Sequence, residues 1–383
     1  MPPLSSDNPR VLGALALLAV AAAGQPAAAP QPRAVVIGYV FAQERLLAPD
    51  EVDAAKLTHV NYAFANVKDG LVVEGFARDA ENLRVLTGLR ARNPQLKVLV
   101  SVGGWTWSKG FSDAALTAES RRRFCESAVA YVRRHDLDGF DVDWEYPGLR
   151  GDDNPHRPED RENFTALMTQ LRAQLDRAAA GTGRHYLLTF AAGAFPDYLA
   201  HASMSDVQGV VDFVNLMTYD FRVASVDRIA GHHANLYDHP ADDKQRSADR
   251  AVREFLAAGV PAAKLVMGVP FYGRGWRDVN PVADGLYQPG SAVERMNLAY
   301  GRLAAEVVGR DGFSRRWDAI AQAPFLWNGD RRIFISYDDP DSMRLKAGYA
   351  RAKGLGGVMF WQYAEDPSGA LLDALHTTLN PTQ

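Results

Sequence analysis

In Asp138-Gly139-Phe140-Asp141-Val142-Asp143-Trp144-Glu145-Tyr146-Pro147, carboxylates and large apolar residues alternate from Phe140 onward. Side chains alternate faces along a strand, so Asp141, Asp143 and Glu145 share one face while Phe140, Val142 and Trp144 share the other. The apolar face requires a cover, and Trp144 is assigned to a core facing helices. Three carboxylates crowded on one wall cannot all be ionised cheaply, so at least one should hold its proton at neutral pH. A carboxyl that stays protonated near pH 7 is what general acid catalysis needs. Asp138 has the opposite parity to these three and is expected to brace the base of the strand. A calcium loop would place glycine at the sixth position, here Tyr146, with polar residues between the carboxylates. A solvated acidic face would not alternate with Phe, Val and Trp.

Working outward, seven further apolar runs bounded by turn residues flank this one: Val35 to Val40, Val60 to Phe64, Val98 to Val102, Tyr186 to Phe190, Phe213 to Tyr219, Leu265 to Phe271 and Gly357 to Trp361. Between them lie segments of helical period, such as Phe164, Leu167, Met168, Leu171 and Leu175, and a helix from about Thr117, its N-cap, to Arg134. Eight mostly apolar strands separated by helices predict an α/β fold, the (β/α)8 barrel. The interval from the seventh run at Leu265 to the eighth at Gly357 is far longer than the others. It predicts a small α+β insertion over residues 278–335, carried at the C-terminal face of the barrel where it would wall one side of a cleft. The barrel is then expected over 33–277 and 336–383. Its 32 glycines and 21 prolines are near average use, so no long linker is expected.

Before the first run, Val11 to Ala23 is an uncharged apolar stretch preceded by Arg10 and followed by small residues. Residues 1–29 read as a secretory signal peptide, with cleavage among Ala23 to Ala29 and export to the periplasm or medium. No later segment is apolar for ~18 residues, so no membrane association is expected after cleavage. The chain has 383 residues, 47% hydrophobic, with 42 Lys and Arg against 46 Asp and Glu. That net charge of −4 excludes the basic surface of a nucleic-acid-binding protein. Cys125 is the single cysteine, which rules out an internal disulfide and a cysteine metal site, and it is read as a buried structural thiol.

Asp138-x-x-Asp141-x-Asp143-x-Glu145 resembles the signature of glycoside hydrolase family 18, the chitinases. The resemblance extends through Ser101-x-Gly103-Gly104-Trp105, Met217-Thr218-Tyr219-Asp220-Phe221, Gly268 to Arg274, Tyr337-Asp338-Asp339, Gly354 to Gly357 and Phe360-Trp361. It implies a hydrolase cutting β-1,4 links between N-acetylglucosamine units with retention, the substrate's own N-acetyl group serving as nucleophile. By resemblance, Glu145 is the general acid and base, Asp143 holds the acetamido N–H, Asp141 shares a proton with Asp143, and Tyr219 donates to the acetamido oxygen. No cofactor or metal is implied. The histidine-rich stretch His232, His233, Asp238 and His239 lies in a segment resembling a cleft loop of the same family.

Pyranose rings present an apolar C–H face that aromatic side chains bind. Trp361 is the expected floor of the cleft, with Tyr39, Phe64, Trp105, Tyr146 and Met217 as walls, and Gly104 and Tyr272 completing the binding set. Asp220 and Arg274 would bond the sugar or orient the carboxylates. Trp107 and Trp276 are further platform candidates in loops, and the sequon at Asn163 falls within a helix pattern. The expected partner is chitin or its oligomers, bound by a monomer, with endo action favoured. Peptidoglycan and the chitobiose core of glycoproteins carry the same N-acetyl group and stay open as substrates. A lectin on this barrel would lack the acid, whereas Glu145, Asp143 and Tyr219 are all present.

Overall fold

The computed structural model describes residues 34–294 and 296–381; the signal-peptide reading falls outside the described residues. In chain order the strands are β1 (Val35–Phe41), β2 (His59–Lys68), β3 (Leu71–Val73), β4 (Lys97–Gly103), β5 (Gly139–Asp143), β6 (Leu187–Gly193), β7 (Phe213–Met217) and β8 (Leu265–Pro270). They continue as β9 (Arg274–Arg277), β10 (Ser291–Ala292), β11 (Ser314–Asp318), β12 (Ala323–Asn328), β13 (Ile333–Ser336) and β14 (Gly357–Trp361). β1, β2, β4, β5, β6, β7, β8 and β14 pair in parallel in that order, and β14 closes on β1. The closed ring with its surrounding helices is the (β/α)8 barrel predicted from the eight apolar runs. β3 is a short antiparallel hairpin partner of β2 that the apolar runs did not disclose.

Strand parity sorts the side chains as the alternation requires. Phe140, Val142 and Trp144 of the β5 segment pack outward, Trp144 stacking on Phe111 at 5.5 Å and meeting Phe164 edge-on at 6.1 Å. The helix Ala118–Arg134 begins at Thr117, whose side chain and that of Ser120 cap each other's backbone N–H groups. The helix Asp160–Ala179 buries Phe164, Leu167, Met168, Leu171 and Leu175 against the sheet. Burial lifts the Cys125 thiol to about 12, as an inert core residue requires. Asp138 accepts from the Val98 backbone N–H at 2.9 Å and pairs with Arg90 at 2.6 Å, bracing the base of β5 against β4.

The insertion forms a second sheet, antiparallel, ordered β10-β9-β13-β12-β11. It starts at Arg274, ahead of the expected boundary at Asp278, because pairing with β13 makes Arg274–Arg277 a strand although four residues show no apolar run. The same pairing corrects the reading of Trp276. It is no loop platform but the fully buried centre of the insertion, packed with Phe325, Trp327 and Phe334, its indole N–H donating to the Asp227 carbonyl at 2.9 Å. No helix among the described residues is long and apolar enough to cross a membrane.

Candidate active site

Parallel pairing in register sets Ser101 of β4, Asp141 of β5 and Thr189 of β6 side by side facing the barrel interior. Asp141 is fully buried and takes four hydrogen bonds, from Thr189 Oγ1 at 2.5 Å, Ser101 Oγ at 2.7 Å, Tyr39 OH at 2.9 Å and Asn215 Nδ2 at 3.1 Å. Burial pushes its pKa up, and these donors pull the other way by favouring the charged form. Tyr39 is thereby reassigned: it is 2% exposed, and its hydroxyl serves Asp141 rather than a cleft wall.

Asp143, one step nearer the cleft, is buried as well, and its Oδ1 has no hydrogen-bond partner. Burial, then the charge of Glu145, then that of Asp141 hold its pKa well above the carboxylate range. Neutral donors satisfy Asp141, and the charge that presses hardest on Asp143 is that of Glu145.

Glu145 lies just past the end of β5. Burial above all, and the charge of Asp220, raise its pKa to about 7, so near neutrality it is poised to give and take a proton. Its backbone N–H donates to Ser108 Oγ at 2.8 Å, and that hydroxyl sits 2.9 Å from the Gly104 carbonyl and 3.1 Å from the Asp143 carbonyl. Ser108 thus ties the loop after β4 to the loop after β5. Gly104 permits the approach: its φ is +77°, and a Cβ there would lie 2.7 Å from the Phe64 ring.

Across the barrel mouth, Tyr219 and Asp220 follow β7 directly. Burial raises the Tyr219 phenol well above its ordinary range, so it remains a hydrogen-bond donor. Asp220 has a φ of +58° and is clamped by Arg274, whose Nε and Nη2 donate at 2.8 and 2.7 Å. Burial opposes its charge, but the nearby His233 imidazole and the Arg274 guanidinium win and hold it below the usual carboxylate range. Arg274 in turn lies over the Tyr272 ring at 5.0 Å.

Trp361, the last residue of β14, is half-buried and stacks on Phe64 at 5.3 Å with 18° between the planes. Phe41 and Tyr39 support it at 5.6 and 5.8 Å. Met217 and Tyr219 pack with this interior cluster. Trp105 is half exposed and meets Tyr146 edge-on at 6.4 Å. Trp107 is part of the rim, packed on Phe76 at 4.9 Å. His232 is a strut, buried and 3.1 Å from Asp318 of the insertion, and Asn163, in the helix Asp160–Ala179, accepts from Arg121 of the neighbouring helix Ala118–Arg134.

A buried acid poised near neutrality beside an unpartnered carboxyl, a phenol donor and an indole floor at the C-terminal face of a barrel is a site for cutting glycosidic bonds. Comparison with known proteins agrees, because the family model for Glycosyl hydrolases family 18 matches residues 35–366. The chain belongs to family 18 of the glycosyl hydrolases. Chitinase A1 of Niallia circulans is 39% identical to this hydrolase across 86% of the chain, which spans 56% of that relative's length. A family 18 N-acetylglucosaminidase of Paenibacillus barengoltzii superposes with a TM-score of 0.83 at 44% identity, covering 90% of this chain and 99% of that one. A chitinase of Bacillus thuringiensis gives a TM-score of 0.86 at 34% identity, covering 92% and 71%.

Three polar residues of this family 18 site were invisible to sequence reasoning, Ser108, Thr189 and Asn215, and His233 was seen only as part of a histidine-rich loop. Thr189 and Asn215 sit inside apolar strand runs, and only the register across β5, β6 and β7 makes them donors to Asp141.

Proposed function

We propose that this chain hydrolyses β-1,4 links between N-acetylglucosamine units of chitin or its oligosaccharides, with retention, using the substrate's acetamido oxygen as nucleophile. The observation that carries the reading is the buried, unpartnered Oδ1 of Asp143 beside Glu145. A retaining enzyme with a carboxylate nucleophile would need that group ionised in the free enzyme. Asp143 instead holds its proton until something supplies a donor, and a substrate acetamido N–H is such a donor.

The steps then follow. The acetamido N–H bonds Asp143 and favours its charged form, so of the two carboxyls Glu145 is the one left holding a proton. Glu145 protonates the glycosidic oxygen while the acetamido carbonyl oxygen, held by the Tyr219 hydroxyl, attacks the anomeric carbon and the bond to the leaving sugar breaks. The cationic oxazolinium ring that forms is stabilised by the Asp143 carboxylate, an interaction stronger in the transition state than in the ground state. Glu145, now ionised, takes a proton from water as its oxygen opens the ring. Trp361 binds the apolar face of the reacting sugar.

The names of the Niallia and Bacillus relatives support chitin as the substrate. The near-neutral charge suits an uncharged polymer. The 44% identity to an N-acetylglucosaminidase favours a second reading, release of single units from chain ends. Product analysis on the N-acetylglucosamine tetramer and hexamer separates the two. Endo action is expected to give dimers and trimers from the first minutes, whereas monomer alone, with the chain shortened by one, establishes the second reading. The apolar stretch within residues 1–29 supports export of the protein, which N-terminal sequencing of the secreted form tests, and sedimentation tests the expected monomer.

A further inference from the structure

His233, in the loop between β7 and the helix Ala248–Ala257, is fully buried. Its backbone N–H donates to Ser336 Oγ of β13 at 2.9 Å, and its carbonyl accepts from the Phe221 N–H at 3.0 Å, so the residue is stitched between the insertion and the Asp220 turn. Its ring rests against Tyr272 at 5.3 Å. Nδ1 lies 3.4 Å from Asp220 Oδ1 without hydrogen-bond alignment, and neither ring nitrogen has a hydrogen-bond partner, so Asp220 is the polar group nearest an otherwise unsatisfied imidazole. The charged side chains acting on the imidazole are Asp220 on the β7 side, Arg274 on β9 and Asp338 just past β13. Asp338 is paired with Lys346 of the helix Pro340–Ala352 at 2.5 Å, both 1% exposed.

The row therefore reads Lys346, Asp338, His233, Asp220, Arg274, with each carboxylate balanced by its own cation. A neutral histidine leaves this interior with zero net charge; a protonated one would put an uncompensated cation into it. Burial accordingly holds the imidazole below the ordinary histidine range. A neutral imidazole facing a carboxylate must carry its proton on Nδ1, and that N–H then faces Asp220 together with the Arg274 guanidinium and the Tyr272 hydroxyl.

We propose that His233 is a positioning residue of the catalytic acid: held neutral between two self-balanced ion pairs, it donates Nδ1–H to Asp220 and fixes that carboxylate where its charge keeps Glu145 protonated. This inference rests on Glu145 as the general acid. Without the donor, Asp220 turns away or gains a proton. Either change removes a negative charge from beside Glu145, so the acid ionises earlier.

His233→Leu and His233→Asn test it on a soluble N-acetylglucosamine oligomer across pH. For His233→Leu we expect kcat to fall at least about tenfold with KM within about threefold, and the alkaline limb to move to lower pH by about half a unit or more. His233→Asn, whose amide can replace the Nδ1 donor, is expected to restore both. An alkaline limb that stays in place in His233→Leu, or an Asn variant that restores neither property, overturns the proposal. The imidazole 15N spectrum of the wild-type protein decides the matter even if the Leu variant does not fold or the oligomers are not cut. A neutral Nδ1–H tautomer at pH 7 is expected; an imidazolium or an Nε2–H tautomer overturns it. Wild-type protein inert toward every N-acetylglucosamine oligomer would instead overturn the function proposed above.

Discussion

Glu145→Gln is expected to lower kcat on N-acetylglucosamine oligomers by about 10²–10⁴-fold while leaving their affinity within about threefold. The amide keeps the shape of the protonated carboxyl but has no proton to give. Turnover assays and calorimetric titration of a tetramer check the two halves. The same substitution has a stability signature of definite sign. A carboxyl whose folded-state pKa lies above its unfolded value costs stability once pH exceeds the unfolded value, and the cost is complete above the folded one. For Glu145 the shift runs from an ordinary 4.5 to about 7, so the penalty is absent near pH 4 and full by about pH 8, where it is at most about 3 kcal/mol. Glutamine does not ionise and escapes it. Thermal unfolding should show the variant matching wild type at pH 4 and more stable at pH 8; an advantage that is equal at both pH values would contradict a raised Glu145 pKa.

Asp141→Ala is expected to produce the largest loss of stability of any single substitution in the site, about 3–5 kcal/mol in urea unfolding at pH 7. The reason lies in its partners. Tyr39, Ser101, Thr189 and Asn215 all point their hydrogens at this one carboxylate inside the barrel. Removing it leaves the Tyr39, Ser101 and Thr189 hydroxyls without their acceptor, and Asn215 with only the Tyr39 oxygen. Asp141→Asn should cost less, since one oxygen remains, yet its own N–H groups now face hydroxyls that were donors. A loss below about 1 kcal/mol for the alanine variant would show that these donors find other partners, and that Asp141 is not the anchor of the column.

Much of this was legible in the residues. Alternation over Phe140 to Glu145 assigned the inward and outward faces of β5 correctly, because burial on one side and charge on the other leave a strand only one parity. Thr117 announced its helix because an N-cap acts locally. What escaped depends on partners distant in sequence. β9 is a strand only because β13 lies beside it, so Trp276 read as a loop residue. Tyr39 read as a cleft wall because its inward parity was plain, while the depth at which it meets Asp141 depends on the stagger of β1 around the ring. His233 was legible only as one of a run of histidines in a cleft loop. Its significance comes from Asp220, after β7, and Asp338, just past β13, which both act on it.

The central claim is that the substrate's acetamido group is the nucleophile, with Asp143 receiving its N–H and Glu145 supplying the proton. The most direct test is to digest partially acetylated chitosan and sequence the new reducing ends by mass spectrometry. The sugar that becomes the reducing end is the one whose anomeric carbon was attacked. N-acetylglucosamine at every new reducing end is the predicted result; glucosamine there would contradict the account, since an amine has no carbonyl oxygen with which to attack.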